Sequence, residues 1–373
     1  MSHRGPAPCG VYVHIPFCQS RCDYCAFVTY VGVDDLHERY CDAVVAEIEA
    51  RSAEKDGPAT SVFFGGGTPS RVDPLLLGRI LAAIDRAPGC EVTIEVNPED
   101  AAPERLAAFV RAGVTRMSVG IQSTAPHVLA GLGRVHRGDQ VRSVAKAVAS
   151  SGVSTWSMDL IVGSVEETDD DVIRSVNDLL DHEHAPPHVS AYLLSVEKGT
   201  PLSRDVNRHP DDDVLAERYE LVDSLLEDRG YRWYEVSNWA RDGHRCRHNQ
   251  LYWSQGDYLG VGVAAHSHAR GMRRWNVANL TTYLELVERG ASPLLGFEEL
   301  SEAQRAFESL SLALRTAEGV PIETIERPDD LEGFVERRGD RLVLTVAGRR
   351  MADAIARRLV VPGDSVEGVQ GAG

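Results

Sequence analysis

Three cysteines near the start of the chain, Cys18, Cys22 and Cys25, are the residues whose type and spacing point most directly to chemistry. They follow an apolar run that predicts a β-strand, and a CxxxCxxC loop can turn several thiolates toward one iron–sulfur cluster. Three thiolates leave one iron of a [4Fe–4S] cubane without a protein ligand, so that iron can bind a cofactor or substrate. The spacing alone leaves two alternatives open: a zinc site completed by Cys9 or His14, and three unrelated buried thiols.

The length, composition and charge of the chain indicate what kind of protein carries this site. The chain has 373 residues, enough for two or more domains, and 43% of them are apolar. Because the sequence shows no signal peptide and no transmembrane pattern, its seven cysteines predict a cytoplasmic protein with reduced thiols. The formal net charge of −17 argues against binding to nucleic acid, since neutralising phosphates needs a basic surface.

Residues 1–240 alternate short β-branched runs with longer segments of helical period, which is typical of a parallel β/α fold. Six strands are predicted, at Val11–Ile15, Ser61–Phe64, Val92–Val96, Met117–Ile121, Trp156–Ile161 and Val189–Leu194. The predicted helices are Asp35–Ala53, Asp73–Arg86, Pro103–Ala112, Asp139–Ser151, Asp169–Asp181 and Asp213–Asp228. Six such units predict an α/β fold, either an open parallel sheet or a partial barrel.

The pattern changes after Arg241, which predicts a domain boundary near residue 240. Residues 241–373 are predicted to form a mainly helical domain. Its helices cover Glu302–Thr316, with Ser301 as N-cap, and Val346–Leu359, and a short strand covers Arg341–Thr345. The Gly-rich tail, residues 362–373, is predicted to be disordered.

Glycines and polar residues follow four of the predicted strands, at the edge where parallel β/α folds bind ligands. These positions are the run Gly65-Gly66-Gly67-Thr68, then Glu95 with Asn97, Gln122, and Asp159. Any one of them could be a structural partner or part of a tight turn. Together they supply donors and acceptors suited to an amino acid, a ribose and an adenine.

These segments resemble the radical S-adenosylmethionine superfamily, and within it the HemN/HemW branch of oxygen-independent coproporphyrinogen III oxidases and heme chaperones. The resemblance rests on YVHIPFC, FFGGGTP, IEVNPE, SVGIQS, GRVH and MDLIVG. It implies a [4Fe–4S] cluster whose open iron is chelated by S-adenosylmethionine, a partial (β/α)6 TIM-like barrel and a winged-helix-like C-terminal domain. By position it implies S-adenosylmethionine contacts from Tyr12, Tyr24, Gly66, Gly67, Thr68, Glu95, Gln122, Arg134 and Asp159.

Two features separate the oxidases of this branch from its heme chaperones. The oxidases extend the cysteine motif to CxxxCxxCxC, whereas this chain has Phe27 at the last position, as the chaperones do. The chaperones also carry an HNxxYW signature, present here as HNQLYW from His248 to Trp253. The resemblance therefore favours a heme chaperone over a coproporphyrinogen III oxidase, which decarboxylates propionate side chains.

His248 is the expected heme ligand in that signature, since imidazole commonly binds heme iron. The structural alternative is that His248 hydrogen-bonds its neighbours while the aromatic residues beside it pack the domain junction. Cys246, His266 and His268 are competing iron ligands that the sequence does not rank. The expected partners are heme, an acceptor hemoprotein and an electron donor, and a homodimer is left open.

Overall fold

The computed structural model describes residues 8–54, 57–134 and 138–360. The chain divides into two compact units. The first comprises the residues up to Trp233 with Ser237–Tyr252 and Gly256–Glu299, and the second comprises Tyr234–Val236, Trp253–Gln255 and the residues from Leu300 onward. None of the described helices is long and apolar enough to cross a membrane.

Six parallel strands with their helices form the centre of the first unit. The elements are, in chain order, β1 (Cys9–Ile15), β2 (Phe17–Cys18), β3 (Tyr30–Val31), α1 (His37–Arg51), β4 (Ala59–Gly66), α2 (Pro74–Ala82), β5 (Arg86–Val96), α3 (Pro103–Ala112), β6 (Arg116–Gln122), α4 (Pro126–Gly131), α5 (Val141–Ser150), β7 (Thr155–Val162), α6 (Asp169–Leu180), β8 (His188–Leu193) and α7 (Asp212–Glu227). The strands pair in parallel in the order β1-β4-β5-β6-β7-β8. The predicted α/β fold is confirmed, although the second helix ends at Ala82 because Arg86 already belongs to β5.

Successive side chains along these strands point to opposite faces of the sheet, and one face is apolar while the other carries polar groups. In β7, Met158 and Leu160 are buried in the hydrophobic core. Ser157 and Asp159, which point the opposite way, line a cavity of about 550 Å³. The inner side of the barrel therefore holds a cavity with polar side chains in its lining, whereas branched apolar side chains fill the centre of an ordinary TIM barrel.

Further strands extend this sheet on both sides, to twelve within the described residues. After β8 come β9 (Arg232–Glu235) and β10 (Asn238–Ala240), then α8 (Arg247–Trp253), β11 (Asp257–Val261), β12 (His266–Ala269), β13 (Met272–Asn276), α9 (Leu280–Glu288) and β14 (Leu294–Glu299). β11 pairs in parallel with β1, and β12, β13 and β14 follow it in antiparallel order. The boundary predicted near residue 240 thus differs from the end of the first unit at Glu299, because short antiparallel strands lack the β/α alternation that identified the others.

A buried ionic network on α1 attaches these added strands. Arg51 donates to the Glu47 carboxylate at 2.7 Å, and Glu47 also accepts from the Gly262 amide at 2.8 Å, the Asn276 amide at 2.7 Å and the Tyr283 hydroxyl at 2.7 Å. The partners lie after β11, in β13 and in α9, so one carboxylate connects three later elements to α1. A buried charge with several donors resists separation of the elements that it joins.

The second unit combines helices with a small antiparallel sheet. Its elements are α10 (Glu302–Leu314), β15 (Val320–Pro321), β16 (Val335–Arg338), β17 (Arg341–Leu344), α11 (Val346–Arg350) and α12 (Ala352–Ala356). The Ser301 hydroxyl accepts from the Gln304 amide, and the Gln304 side chain accepts from the Ser301 amide, so the predicted N-cap is confirmed. Helices with a three-stranded sheet agree with a winged-helix-like domain, and the predicted disordered tail, residues 362–373, lies outside the described residues.

Replacing the buried carboxylate of the network tests its contribution to stability. Glu47→Gln is expected to lower the free energy of unfolding by about 3 kcal/mol, because it removes the buried carboxylate partner of Arg51. Glu49→Gln, at an exposed position of the same helix, is the matched control, with an expected change below about 0.5 kcal/mol. Thermal unfolding followed by circular dichroism compares the two variants, and equal midpoints would contradict the role given to Glu47.

Candidate cofactor site

The three cysteines of the motif lie in a loop at the mouth of the cavity. Cys18 ends β2, the Cys25 amide donates to the Cys22 carbonyl at 3.3 Å, and all three side chains line the cavity as free thiols. Burial raises the pKa of the Cys18 and Cys25 thiols. Thiols in such a setting need a bound metal to become thiolates at neutral pH, which is how metal ligation and deprotonation are coupled.

The arrangement of these thiols bears on the zinc alternative. Among the described residues, no three His, Cys, Asp or Glu side chains are close enough together to hold a single metal ion. Neither Cys9 nor His14 lines the cavity with the motif cysteines. The motif therefore offers three thiols at one cavity, and thiolates are the usual ligands of iron–sulfur clusters.

The glycine run after β4 fits closely against the cysteine loop. Gly66 has a φ of 107°, a conformation that favours glycine. A Cβ on Gly67 would lie 2.8 Å from the Ile15 carbonyl oxygen, so only glycine allows this approach. The next residue, Thr68, donates its hydroxyl to the Cys18 sulfur at 3.6 Å. The turn thus joins the end of β4 to the cysteine loop.

Two half-buried carboxylates, Glu95 and Asp159, lie in the same cavity. Asp159 accepts from the Ser118 hydroxyl at 2.7 Å and the Ser157 hydroxyl at 3.1 Å, and Glu95 accepts from the Gly66 amide at 3.2 Å. Burial and the repulsion of Asp159 raise the pKa of Glu95 to about 8, and burial also raises the pKa of Asp159. Such a pair favours a ligand that brings positive charge.

Arg134 and Gln122 complete the rim of the cavity. Arg134 donates to the Asn97 side chain at 3.0 Å, the Gly120 carbonyl at 2.8 Å and the Cys22 sulfur at 3.4 Å. Among the described residues, the buried Nε of Arg134 and the buried Oε1 of Gln122 have no hydrogen-bond partner, and Gln122 has a φ of 67°. Buried polar atoms without partners are rare in folded proteins, so both atoms fit a site completed by a bound ligand.

The two predicted tyrosines occupy different places. Tyr24 lines the cavity, whereas Tyr12 does not. Tyr12 donates its hydroxyl to Nδ1 of His14 at 3.1 Å, and Nε2 of His14 donates to the Val28 carbonyl at 2.9 Å. Burial raises the pKa of both tyrosines. Tyr24 can touch a ligand directly, and Tyr12 supports the loop after the motif through His14.

The structure does not bring His248 to the cavity. Its side chain is buried, with Nδ1 2.9 Å from the Ser61 hydroxyl and Nε2 2.8 Å from the Tyr252 hydroxyl. Burial lowers the pKa of His248 to about 3, so the ring is neutral. The heme-ligand role expected from the sequence conflicts with this geometry, because both ring nitrogens already have partners and neither faces an opening.

Several cavity residues were missed by the sequence analysis. They are small or polar side chains on the inner faces of the strands: Arg116, Ser118, Ser157, His188, Ser190 and Asn238. Ser118 lies four residues before Gln122, Ser157 lies two residues before Asp159, and Ser190 pairs with Asp159 across the sheet. The period of two along β6 and β7 could have identified Arg116, Ser118 and Ser157.

Comparisons with known proteins agree with this geometry. The family model of the Radical SAM superfamily matches residues 12–179. The chain is 42% identical to the heme chaperone HemW of Mycobacterium tuberculosis, with 95% of each chain covered. It is 34% identical to the heme chaperone HemW of Synechocystis, with 84% of this chain and 79% of that protein covered.

Among solved structures, the coproporphyrinogen III oxidase HemN of Escherichia coli superimposes with a TM-score of 0.81 at 19% identity, over 94% of this chain and 89% of that one. This likeness concerns the fold, which is that of a radical SAM enzyme. The sequence similarity over nearly the whole length goes further. The chain belongs to the radical SAM superfamily and, within its HemN/HemW branch, to the HemW family.

Proposed function

We propose that this chain is a heme chaperone that holds a [4Fe–4S] cluster with S-adenosylmethionine and delivers heme to a hemoprotein. The observation that carries the cofactor part is one cavity lined by the three motif thiols, the half-buried carboxylates of Glu95 and Asp159, and the Arg134 guanidinium. The chaperone part is supported by relatives that are named heme chaperones and match nearly the full length. The acceptor hemoprotein, the electron donor, the homodimer and the cytoplasmic location stay predictions.

In this proposal, different residues of the chain bind different parts of S-adenosylmethionine. Cys18, Cys22 and Cys25 hold the cluster, which when reduced supplies an electron to the bound sulfonium. Arg134 offers a guanidinium to the carboxylate of the ligand, a pairing that its geometry suits. Glu95 balances the positive charge of the ligand from the lining of the cavity.

The remaining site residues shape the binding site and supply further polar groups to it. Gly66 and Gly67 have no side chains, so a ligand can approach the backbone at the end of β4. Gln122 and Tyr24 present polar atoms to the cavity, and Asp159 adds a second carboxylate to its lining. These contacts orient the ligand toward the iron that the three cysteines leave open.

Phe27 distinguishes the chaperone from the oxidase in this proposal. Its side chain lines the mouth of the cavity and is 63% exposed. The resemblance places the extra cysteine of the oxidases at this position. A phenyl ring keeps the cluster loop apolar there and supplies no thiol, so the oxidase function has no support from this residue.

Removing one motif cysteine tests the cluster. Cys22→Ala, purified and reconstituted without oxygen, is expected to lose most of its bound iron and sulfide and its visible charge-transfer absorption, because a cubane needs each of its thiolates. Cys90→Ala removes a partly exposed thiol outside the motif and is expected to behave as wild type. A Cys22 variant with a full complement of iron and sulfide would contradict the assignment.

The pKa of Glu95 predicts a pH dependence for cofactor binding. Below about 8 the side chain is protonated, and a cationic ligand must displace that proton, so affinity rises with pH. S-adenosylmethionine is expected to bind the reconstituted protein about tenfold more tightly at pH 8.5 than at pH 6.5. Asp159, Tyr12 and Cys25 interact electrostatically with Glu95, and burial raises the pKa of each of them.

Calorimetric titration at both pH values measures this dependence. Glu95→Gln is the matched control, because it keeps the shape of the side chain and cannot titrate. The variant should lose the part of the pH dependence of affinity that comes from Glu95. Any pH dependence from the ligand's own amine remains in wild type and variant alike. Identical slopes for wild type and Glu95→Gln would exclude Glu95 as the group that senses the cofactor's charge.

The function itself is tested by offering two tetrapyrroles to the reconstituted protein. With hemin, a stable complex with its own Soret band is expected, followed by a spectral shift when a b-type apo-hemoprotein is added. With coproporphyrinogen III, S-adenosylmethionine and a reductant, no protoporphyrinogen should form. Sustained formation of protoporphyrinogen would establish the oxidase instead, and failure to bind hemin would reject the chaperone.

A further inference from the structure

Arg116, at the start of β6, is a buried cation that the proposed cofactor site does not use. Its side chain is 1% exposed and lines the same cavity as the motif thiols. Within the described residues, both of its side-chain hydrogen bonds come from Nη1, to the His244 carbonyl at 3.2 Å and the Thr155 hydroxyl at 3.5 Å. The other edge of the guanidinium, formed by Nε and Nη2, is the fork that can hold a carboxylate by two parallel hydrogen bonds.

Arg116 forms no ion pair with any carboxylate in residues 8–54, 57–134 and 138–360. Asp159 is close enough to interact electrostatically, since burial raises the pKa of Asp159 and the charge of Arg116 opposes that rise. The Asp159 carboxylate, however, accepts from the hydroxyls of Ser118 at 2.7 Å and Ser157 at 3.1 Å. Fully buried arginines are normally paired, because a lone buried charge is costly. A bound anion would supply the partner.

The guanidinium lies at a different depth of the cavity from the cysteine loop. Arg134 donates to both the Gly120 carbonyl and the Cys22 sulfur, so this loop lies at the level of Gly120. Arg116 precedes Gly120 by four residues of β6, which corresponds to about 13 Å along a strand. Its Nη1 contacts Thr155, the residue that pairs with it at the start of β7, so the side chain stays near the strand starts. A molecule bound at Arg116 is therefore separated from the thiols.

Uncharged polar side chains also line this cavity. His188, which pairs with Ser157 in the sheet, is 1% exposed. Burial and the positive charge of Arg116 hold the pKa of His188 well below its usual range, so the ring is neutral at pH 7. Asn238 and Asn249 add side-chain amides to the lining. Imidazole and amide groups can donate hydrogen bonds to an anion without adding a negative charge that would repel it.

We propose that Arg116 forms a second ligand subsite in the cavity, which binds a small carboxylate through the Nε and Nη2 edge of its guanidinium. Two coplanar oxygens match this fork, and one negative charge compensates one guanidinium. The ligand must be small, because the cofactor proposed above takes the part of the cavity beside the thiols. This subsite goes beyond the proposed function and requires neither heme nor S-adenosylmethionine.

The test titrates acetate into the reconstituted full-length protein with isotope-labelled arginine side chains. Acetate is expected to bind with a dissociation constant of about 1 mM and to shift the Nε–H resonance of Arg116. Arg116→Lys keeps the charge and removes the fork, so it is expected to weaken acetate binding about tenfold in saturation-transfer NMR. Arg111→Lys, at an exposed position of α3, is the matched control and should bind acetate as wild type does.

Inorganic phosphate distinguishes a carboxylate site from a general anion site. Because phosphate is tetrahedral and does not match a planar fork, it is expected to bind about tenfold more weakly than acetate. Equal affinities for the two anions would overturn the assignment to a carboxylate. Acetate that left the Arg116 resonance of folded wild type unshifted would overturn the subsite altogether, and this measurement needs no variant to fold.

A second titration asks whether the subsite is separate from the cofactor site. S-adenosylmethionine added to the acetate complex is expected to leave the shifted Arg116 resonance in place. Displacement of acetate by the cofactor would contradict a separate subsite. Because acetate binding is measured before any cofactor is added, its result stands whether or not the protein proves to bind S-adenosylmethionine or heme.

Discussion

Two carboxylates enclosed by a β-sheet, Glu95 and Asp159, set the physical conditions for the rest of the site. A buried carboxylate is tolerated only where donors or positive charge replace its lost water. Asp159 accepts hydroxyl groups from Ser118 and Ser157, whereas the described partner of Glu95 is the single amide of Gly66. Burial and the repulsion of Asp159 raise the pKa of Glu95 to about 8, and the single Gly66 amide only partly offsets them. A cationic ligand supplies the missing compensation, which is the physical reason for placing S-adenosylmethionine here.

The register of the parallel strands brings these groups together. Glu95 pairs with Ser118, and Ser118 pairs with Ser157, so one polar row crosses three strands. In the next row Asp159 pairs with Ser190. Because side chains alternate strictly along a strand, a slip of one residue would turn this whole set toward the helices and place valine and methionine in the cavity. The apolar outer face and the polar chamber are therefore two results of one pattern.

Much of this could be predicted from the sequence, because the decisive signals are local. Each of the six strands has its own apolar run, and the cysteine loop and glycine turn are short segments with strict conformational needs. The strands over residues 257–299 were missed, since what holds them is the contact of Glu47 with residues more than two hundred positions away. For His248 the sequence left a structural role open beside the heme role, and its ring nitrogens lie within hydrogen-bonding distance of Ser61 and Tyr252. A motif shows which residues occur together and not which nitrogen of a ring is already occupied.

The position of α8 gives the HNxxYW signature a role that does not need heme. The Glu91 carboxylate accepts from the backbone amides of Arg247 and His248 at the start of this helix, at 2.8 and 3.2 Å. His248 then bonds Ser61 of β4, and Asn249 lines the cavity. The helix is thereby fixed to two barrel strands while it forms part of the cavity wall. A helix held in this way contributes to the cofactor site through Asn249, while His248 stays in the interior of the protein.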